Sequence, residues 1–368
     1  MKENPFEYRL LAKGEEFIDR EKEIETIQNA AKSAQNLTIY SPRRYGKSSL
    51  ILESFRRMDQ DQITVYIDFN KINSVSELAD ELVSRTTESS YSSVEKGFSF
   101  VKDTLLSLRP TFTPTEEGGV SISMKLVEKE EDLESALEFP QKVAEKKNTE
   151  MVIAMDEFQR IQTLNGDTLE RLFRSIIQEQ DRVTYIFSGS QVGMLKEMFE
   201  SGDKPFFKST KMMELDKIPK EDFKTYIEKT FKNTDMDVNK TLINDILDLT
   251  DGHPMRTKEL LFELWNRKRS DGSIEDVDSI LDVLIENDVY IEEIWNGITS
   301  AVQRRTMEAL ANSKKPYSHE TIEEYQLKGS SHVQRAIKSL ERKGIVYQGE
   351  IVDPFLEEWI KRSSGQKR

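Results

Sequence analysis

Short apolar runs alternate with longer amphipathic segments over the first part of the chain. Five runs rich in β-branched and aromatic residues stand out: Leu37–Tyr40, Thr64–Phe69, Met151–Met155, Val183–Phe187 and Met212–Leu215. Continuous apolar runs of this length, separated by stretches long enough for helices, are typical of parallel strands covered by helices on both faces. The pattern therefore predicts an α/β fold built on a parallel five-stranded sheet.

Two segments add to this simple alternation. Ahead of the first strand, Glu21–Ala34 has a helical pattern, and Asp19 is expected to cap its amino terminus. The connection between the second and third strands, Lys71–Glu150, is unusually long. Within it, Pro110–Leu126 holds two short extended stretches around a Gly-Gly pair, which predicts an inserted hairpin at about 110–126 between helices.

Helical periodicity replaces the strand pattern beyond Pro219. Four helices are predicted for a lid: Lys220–Phe231, Asn239–Leu249, Met255–Lys268 and Val277–Ile298. From about Ser300, three helices precede two short extended pieces, which is the order of a winged helix: Gln303–Asn312, His319–Tyr325, Ser331–Lys343, Ile345–Tyr347 and Glu350–Val352. We therefore expect an α/β domain over 1–218, a helical lid over 219–299 and a winged-helix domain over 300–368.

Composition narrows the functional classes. The chain has no cysteine and only three histidines, far apart in sequence, so disulfides and thiolate metal sites are excluded and a zinc site is not expected. No apolar stretch approaches the roughly 20 residues that span a bilayer, and Met1–Arg9 lacks a signal-peptide core. We expect a cytoplasmic protein that has no membrane partner.

Charge is distributed unevenly between the two ends of the chain. The net charge is −14, yet residues 300–368 carry thirteen Lys and Arg against nine Asp and Glu. This asymmetry indicates either a surface for nucleic acid or another acidic partner near the C-terminus, or an ordinary solvated surface.

The stretch SPRRYGKS, residues 41–48, lies between the first predicted strand and a helix. A Gly-Lys-Ser at this place directs backbone N–H groups and the helix dipole at phosphate. Lys47 is expected to reach the β- and γ-phosphates of ATP, and Ser48 to bind Mg²⁺. Ser41 replaces the usual first glycine, and as a small residue it suits the tight turn. The other residues expected to contact the nucleotide are Pro42, Arg43, Arg44, Tyr45, Gly46 and Ser49.

Two acids end a later strand in the stretch MVIAMDEF, residues 151–158. Asp156 is expected to hold Mg²⁺ through water, and Glu157 to polarise the attacking water. At the end of the next strand, Ser188 and Ser190 are either hydrogen-bond donors to the γ-phosphate or attacking water, or ordinary turn residues. In the lid, Arg256 is either a phosphate contact or a solvated helix residue.

These motifs resemble those of archaeal-type ATPases of the STAND group, which belong to the AAA+ superclass of P-loop NTPases and are distant relatives of archaeal replication initiators. The resemblance runs from Phe17 to Ile360 through FIDREKEI, SPRRYGKSSL, VIAMDEFQ, IFSGSQVGML, MELDKI, DGHP and GIVYQGEIVDPFLEEWI. It implies a P-loop nucleotide-binding domain, a helical lid and a winged helix. It also implies site roles: Asp19 and Arg20 near the base, Gly252 and Pro254 as the nucleotide sensor of the lid, and Ser190 as sensor one.

One position departs from the family pattern. Where the family often carries an arginine before the last strand, this sequence has Lys208 and Lys211. Lysine is a point charge without the planar fork of arginine. We therefore expect slow ATP hydrolysis, of the kind that times a switch and that a partner or effector stimulates.

The third helix of the predicted winged helix is amphipathic. Its apolar face holds Val333, Ala336, Ile337 and Leu340, and its outer face would place three basic residues along DNA, namely Arg335, Lys338 and Arg342. Winged helices also pack against proteins. Two functions remain open: an Mg-ATP-dependent switch with winged-helix output, acting on DNA, and an ATP-stabilised signalling or assembly module with incidental hydrolysis. The second would bind a protein partner or form a homo-oligomer, without DNA.

Overall fold

The computed structural model describes residues 4–91, 94–105, 110–114, 120–124, 130–164, 166–234, 236–271, 276–313 and 315–365. The strands within these ranges are β1 Leu37–Tyr40, β2 Ile63–Asp68, β3 Pro110–Pro114, β4 Val120–Met124, β5 Met151–Asp156, β6 Val183–Gly189, β7 Lys211–Glu214, β8 Val346–Tyr347 and β9 Glu350–Ile351. The helices are α1 Glu21–Lys32, α2 Lys47–Arg56, α3 Val75–Ser90, α4 Val94–Thr104, α5 Glu130–Lys147, α6 Gly166–Ile177, α7 Val192–Glu200, α8 Lys220–Asn233, α9 Lys240–Thr250, α10 Pro254–Asp271, α11 Asp278–Glu286, α12 Val289–Gly297, α13 Ala301–Asn312, α14 His319–Glu324, α15 Ser330–Arg342 and α16 Pro354–Gly365.

The main sheet has the strand order β2-β5-β6-β1-β7, and every neighbouring pair is parallel. This confirms the predicted α/β class and the five-stranded sheet. All residues of β5 and β6 are buried, because helices cover both faces of the sheet. The carboxyl ends of β1, β5 and β6 meet at one edge, so the segments that follow these strands are brought together there.

The insertion between β2 and β5 contains an antiparallel pair, β3 and β4, in which Pro110 is opposite Met124. Strand β4 lies against α3. The Gly-Gly pair proposed as the turn of this hairpin, at 118–119, lies outside the described residues.

Two local predictions are wrong. The cap of α1 is Arg20, at φ 76°, and no side chain caps this end. Asp19 itself has φ 46°, outside the extended conformation of a capping residue. The single helix predicted over Val277–Ile298 is two helices, α11 and α12. The Asp288 carboxylate accepts the N–H groups of Tyr290 and Ile291 at 3.0 and 3.3 Å, so it begins a new helix.

Helices α13, α14 and α15 and the β8–β9 hairpin form the winged helix, and α16 follows it directly. The predicted inner face of α15 is buried. The lid and the winged helix share one continuous apolar cluster, to which Phe223, Leu260 and Trp265 of the lid and Leu340 and Phe355 of the winged helix belong. These two parts of the chain are therefore packed together. None of the helices in the described ranges is long and apolar enough to cross a membrane.

Candidate functional site

A cavity of about 600 Å³ opens at the carboxyl edge of the main sheet. Its lining includes residues 7–12 near the N-terminus, residues 43–49 after β1, and Pro254, Met255 and Lys258 at the start of α10. Glu157 also lines it. The cavity therefore collects the loop and one of the two acids that the sequence singled out.

The loop between β1 and α2 has the backbone expected for phosphate binding. Gly46 is the N-cap of α2 at φ 90°, a conformation that glycine adopts without steric cost, and Arg44 has φ 67°. Ser41 is completely buried, and its hydroxyl donates to the Pro42 carbonyl at 3.1 Å. Helix α2 thus directs its free N–H groups toward the cavity.

Lys47 folds back over its own loop. Its buried ammonium donates to the carbonyls of Ser41 and Pro42, both at 3.1 Å, and to the Ser41 hydroxyl at 3.3 Å. Burial lowers the pKa of Lys47, while Glu157 and Asp156 act in the opposite direction. An anion in the cavity would favour the charged lysine further.

Asp156 is the centre of a dense set of hydrogen bonds. The Ser48 hydroxyl and the Tyr66 hydroxyl both donate to Oδ2, the latter at 2.6 Å. The Ser188 hydroxyl donates to Oδ1 at 2.6 Å, and the Glu157 N–H donates to the same oxygen at 3.0 Å. The structure therefore brings together Ser48 and Asp156, the two residues predicted to bind Mg²⁺.

Glu157 is oriented by one neighbour that directly follows β6 and by another in the segment after β5. Its Oε2 accepts from the Ser190 hydroxyl at 2.8 Å, from the Ser190 N–H at 3.3 Å and from Gln159 Nε2 at 2.6 Å. Gly189 leaves the room for Gln159, because a Cβ there would lie 1.9 Å from Gln159 Oε1. The carboxylate is thus held by three donors at the wall of the cavity.

Part of the cavity wall is built by the N-terminal segment and by Arg20, the residue that precedes α1. Arg20 is buried and donates to the Asp216 carbonyl at 2.6 Å and to the Tyr45 carbonyl at 3.5 Å. Asp19 faces an adjacent groove instead of the cavity. Ser49 accepts the Ala12 N–H at 3.1 Å and so fixes the N-terminal segment to α2.

The lid contributes Pro254 directly, whereas Gly252 is not among the lining residues. Gly252 instead supports the backbone behind Pro254: it has φ 72°, and its carbonyl accepts the Ile218 N–H at 3.0 Å. Lys258, one turn into α10, is buried and donates to the Glu16 carbonyl at 2.8 Å. Burial lowers the pKa of Lys258 to about 8.

Sequence reasoning missed Tyr66, Gln159 and Lys258. Tyr66 and Lys258 lie outside the motifs, and Gln159 ends the stretch VIAMDEFQ but had no role assigned to it. The only signals were weak ones: a tyrosine late in β2, a glutamine two residues after Glu157, and a lysine one turn after Pro254.

Both expectations for Arg256 are wrong, since it is neither at the phosphate site nor solvated. Its guanidinium is buried against Asp353 of the winged helix, with Nε 2.9 Å and Nη2 2.6 Å from the carboxylate. Asp288 and Glu259 complete its partners at 2.7 and 2.8 Å. Burial opposes the charge of Arg256, but the acids around it raise its pKa. Its neighbour His253 packs edge-on against Tyr45, and burial lowers the pKa of His253 to about 4.

The remaining predicted residues lie away from the cavity. Arg335, Lys338 and Arg342 are exposed on the outer face of α15. Lys208 and Lys211 are exposed too, and Lys211 is at the amino end of β7, the edge of the sheet opposite the cavity.

Comparison with known proteins places the chain in a family. The model of an ATPase domain predominantly from Archaea matches residues 17–260, and the model of a probable winged helix domain matches residues 288–362. The chain therefore belongs to this archaeal-type ATPase family and carries a winged helix, as the motifs predicted. No curated protein matches the sequence.

Solved structures share the fold along nearly the whole chain. The Walker-type ATPase PABY2304 of Pyrococcus abyssi has a TM-score of 0.70 at 20% identity, with 97% of this chain and 99% of that chain covered. The ORC2 protein of Aeropyrum pernix, in ADPNP-ADP complexes, has a TM-score of 0.60 at 14% identity, with 99% and 98% covered. At these identities the likeness establishes the fold alone.

Proposed function

We propose that this protein is a Mg-ATP-binding, slowly hydrolysing STAND-like ATPase that acts as a conformational switch with a winged-helix output. The observation that carries the proposal is the contact between Ser48 and Asp156 at the amino end of α2, beside Lys47 and Glu157. Lys47, Ser48 and Glu157 line one cavity at a helix N-terminus, and Asp156 contacts Ser48 there, although the two motifs lie more than 100 residues apart.

The donor set fits Mg²⁺. The Ser48 hydroxyl and the Asp156 carboxylate offer the hard oxygen ligands that this ion prefers, and Tyr66 and Ser188 orient the carboxylate. When bound, the ion would supply charge neutralisation between the β- and γ-phosphates. Lys47 would exchange its loop carbonyls for those phosphates, aided by the N–H groups of α2.

Glu157 would be the residue that activates water for hydrolysis. Its carboxylate, held by Ser190 and Gln159, would orient and polarise the attacking water, with Ser190 beside the γ-phosphate. Pro254 would touch the nucleotide from the lid, and Arg20 would lie near the base. We propose a slow rate because Lys208 or Lys211 would have to fill the place of the family arginine, and both are exposed and lie away from the cavity wall.

Two outputs are compatible with the winged helix. The exposed basic face of α15 favours DNA, with Arg335, Lys338 and Arg342 on phosphates or base edges. A specific observation favours a protein partner instead: the winged helix already packs on a protein surface, since the Gln348 amide in its wing donates to Glu214 at 2.9 Å.

The test is phosphate release from Mg-ATP by wild type, Lys47→Ala and Glu157→Gln, each with and without duplex DNA at low and moderate salt. Lys47→Ala should lose nucleotide binding, and Glu157→Gln should bind but not turn over. Glu179→Gln, an exposed acid on another face, is the matched control. Wild-type behaviour in either site variant would refute the assigned roles.

The DNA arm separates the two outputs. Turnover that rises with DNA, and that loses this rise when Arg335, Lys338 and Arg342 are changed to alanine, would establish the nucleic-acid output. Turnover indifferent to DNA, with oligomer growth on ATP, would establish the protein-facing module.

A further inference from the structure

The winged helix is docked on the nucleotide domain at two places, which we call the docking contacts. At the wing, the Tyr347 hydroxyl and the Gln348 amide both donate to Glu214, the last residue of β7, and Lys217 lies 3.6 Å from Glu350. On the other side, α15 lies against α7. The winged helix thus contacts the nucleotide domain through both its wing and α15.

Arg44 connects these docking contacts with the cavity. It belongs to the loop that would hold phosphate and lines the cavity, yet its guanidinium carbon lies 3.9 Å from the centre of the Tyr290 ring. Its Nη1 is 4.0 Å from Asp353 Oδ2, in the segment that joins the wing to α16. Arg44 therefore belongs both to the cavity wall and to a contact with Tyr290 and Asp353, which we call the junction.

The interaction of Arg44 with the junction is weaker than the interaction that it would make with a phosphate. Asp353 already has its main partner in Arg256, whose attraction lowers the pKa of Asp353 although burial opposes this. The contact of Arg44 with Asp353 is at the outer limit of an ion pair, and a third of its side chain is exposed. A triphosphate would offer unpaired oxygens with more negative charge and bidentate geometry.

We propose that Arg44 leaves Tyr290 and Asp353 for the phosphates when ATP binds, and that the winged helix then separates from the docking contacts. Bound ATP and the docked wing are therefore antagonistic. This inference rests on the proposed function, because it requires ATP in the cavity, and it adds the residue that transmits occupancy to the output domain.

Because ATP binding and docking of the winged helix are thermodynamically linked, each must oppose the other equally. A variant in which docking is less stable must therefore bind ATP more tightly. When ATP binds, Arg44 would lose a partly buried cation–π contact with Tyr290. Loss of docking should therefore change the affinity for ATP by about fivefold to thirtyfold. Tyr347→Phe removes one docking hydrogen bond and lies outside the cavity lining. Tyr317→Phe, an exposed tyrosine of the same domain, is its matched control.

The first experiment measures the dissociation constant of a non-hydrolysable ATP analogue by calorimetry. Tyr347→Phe should bind it more tightly than wild type, and Tyr317→Phe should equal wild type. Tyr290→Leu, which removes the ring under Arg44, should also bind more tightly. Unchanged or weaker binding in both Tyr347→Phe and Tyr290→Leu overturns the inference.

The second experiment follows docking itself. The chain contains no cysteine, so spin labels on Glu197→Cys in α7 and Gln334→Cys in α15, both exposed, report the distance between these helices. Saturating analogue should lengthen this distance in the otherwise wild-type chain. In Arg44→Ala the analogue should bind more weakly and leave the distance unchanged, whereas Arg43→Ala, in the same loop, should bind more weakly but keep the change.

The outcomes separate the two proposals. Failure of the analogue to bind the wild-type chain refutes the proposed function. Binding with no change of the labelled distance, or an equal change in Arg44→Ala, leaves the proposed function standing and refutes the role of Arg44.

Discussion

The orientation of Glu157 depends on hydrogen bonds donated by Gln159 and Ser190. Gln159 Nε2 lies 2.6 Å from the carboxylate, and Gly189 gives this amide its space. A general base acts only when its carboxylate is correctly placed for the water proton. The activity of the site should therefore be more sensitive to Gln159 than its distance from the phosphate loop suggests.

Replacing Gln159 should affect catalysis and not binding. Because a positioned base contributes about 10² to 10⁴ in rate, we expect Gln159→Ala to lower kcat by about tenfold to a hundredfold with an unchanged dissociation constant for ATP. Steady-state phosphate release and calorimetry measure the two quantities. Gln178→Ala, an exposed glutamine just after α6, is the control, and equal kcat in the two variants would contradict the prediction.

His253 should make the stability of the protein depend on pH. Its pKa falls from 6.5 to about 4 in the folded state because it is buried, so between these values the unfolded chain binds more protons. Folding stability is complete above pH 6.5 and falls as the pH decreases, by about 2 kcal/mol between pH 6.5 and pH 5 from this group alone.

Chemical denaturation at pH 7.5, 6.5 and 5 tests this. His253→Asn should be less stable at pH 7.5, since it loses the contact with Tyr45, but should lose less stability on acidification than wild type. The exposed His319→Asn should keep the wild-type slope. A wild-type slope in His253→Asn would exclude this residue as the source.

The roles assigned to contiguous residues came from the sequence because a motif is itself a local geometry. Gly46, Lys47 and Ser48 are the N-cap and the first two residues of α2, so their order fixes where they point. The partnership of Asp156 with Tyr66 and the burial of Arg256 depend on which segments pack together. No spacing along the chain encodes those contacts.

At the level of elements, the strands were the best predicted part, since each of the five agrees within two residues with β1, β2, β5, β6 and β7. Their apolar runs are continuous and bounded by polar segments, which leaves little alternative to a strand. The helix break at Asn287 was missed, because helical periodicity continues through it and only the capping carboxylate of Asp288 marks the new start.

The turn between α9 and α10 depends on a glycine. A Cβ on Gly252 would lie 2.1 Å from the Ile218 carbonyl oxygen, and its φ of 72° is unfavourable for other residues. Gly252→Ala should therefore lower the free energy of unfolding by at least about 2 kcal/mol, since strain and a backbone clash add.

Gly344→Ala separates these two causes. Gly344 has nearly the same φ, 71°, but a Cβ at this residue would meet open space, so backbone strain would be its only penalty. It should lose about 1 kcal/mol, measured by urea denaturation. Equal losses in the two variants would show that Ile218 yields and that the clash contributes nothing.

At the scale of the molecule, Arg256 and Asp353 join the lid to the winged helix through a buried ion pair. Asp353→Asn removes the main counter-charge of Arg256, and a buried charge without its partner is costly. We expect a loss of about 3 kcal/mol or more in the free energy of unfolding. Glu350→Gln, an exposed acid of the same wing, should lose less than about 1 kcal/mol. Similar losses in calorimetry would contradict the structural role of the pair.

The apolar cluster shared by the lid and the winged helix has a consequence for dissecting the protein. The two family matches end at 260 and begin at 288, yet Leu260 and Phe355 belong to the same cluster. Chain fragments cut between these matches would each present half of a hydrophobic core to water. The two segments that match separate family models should therefore not fold independently in this molecule.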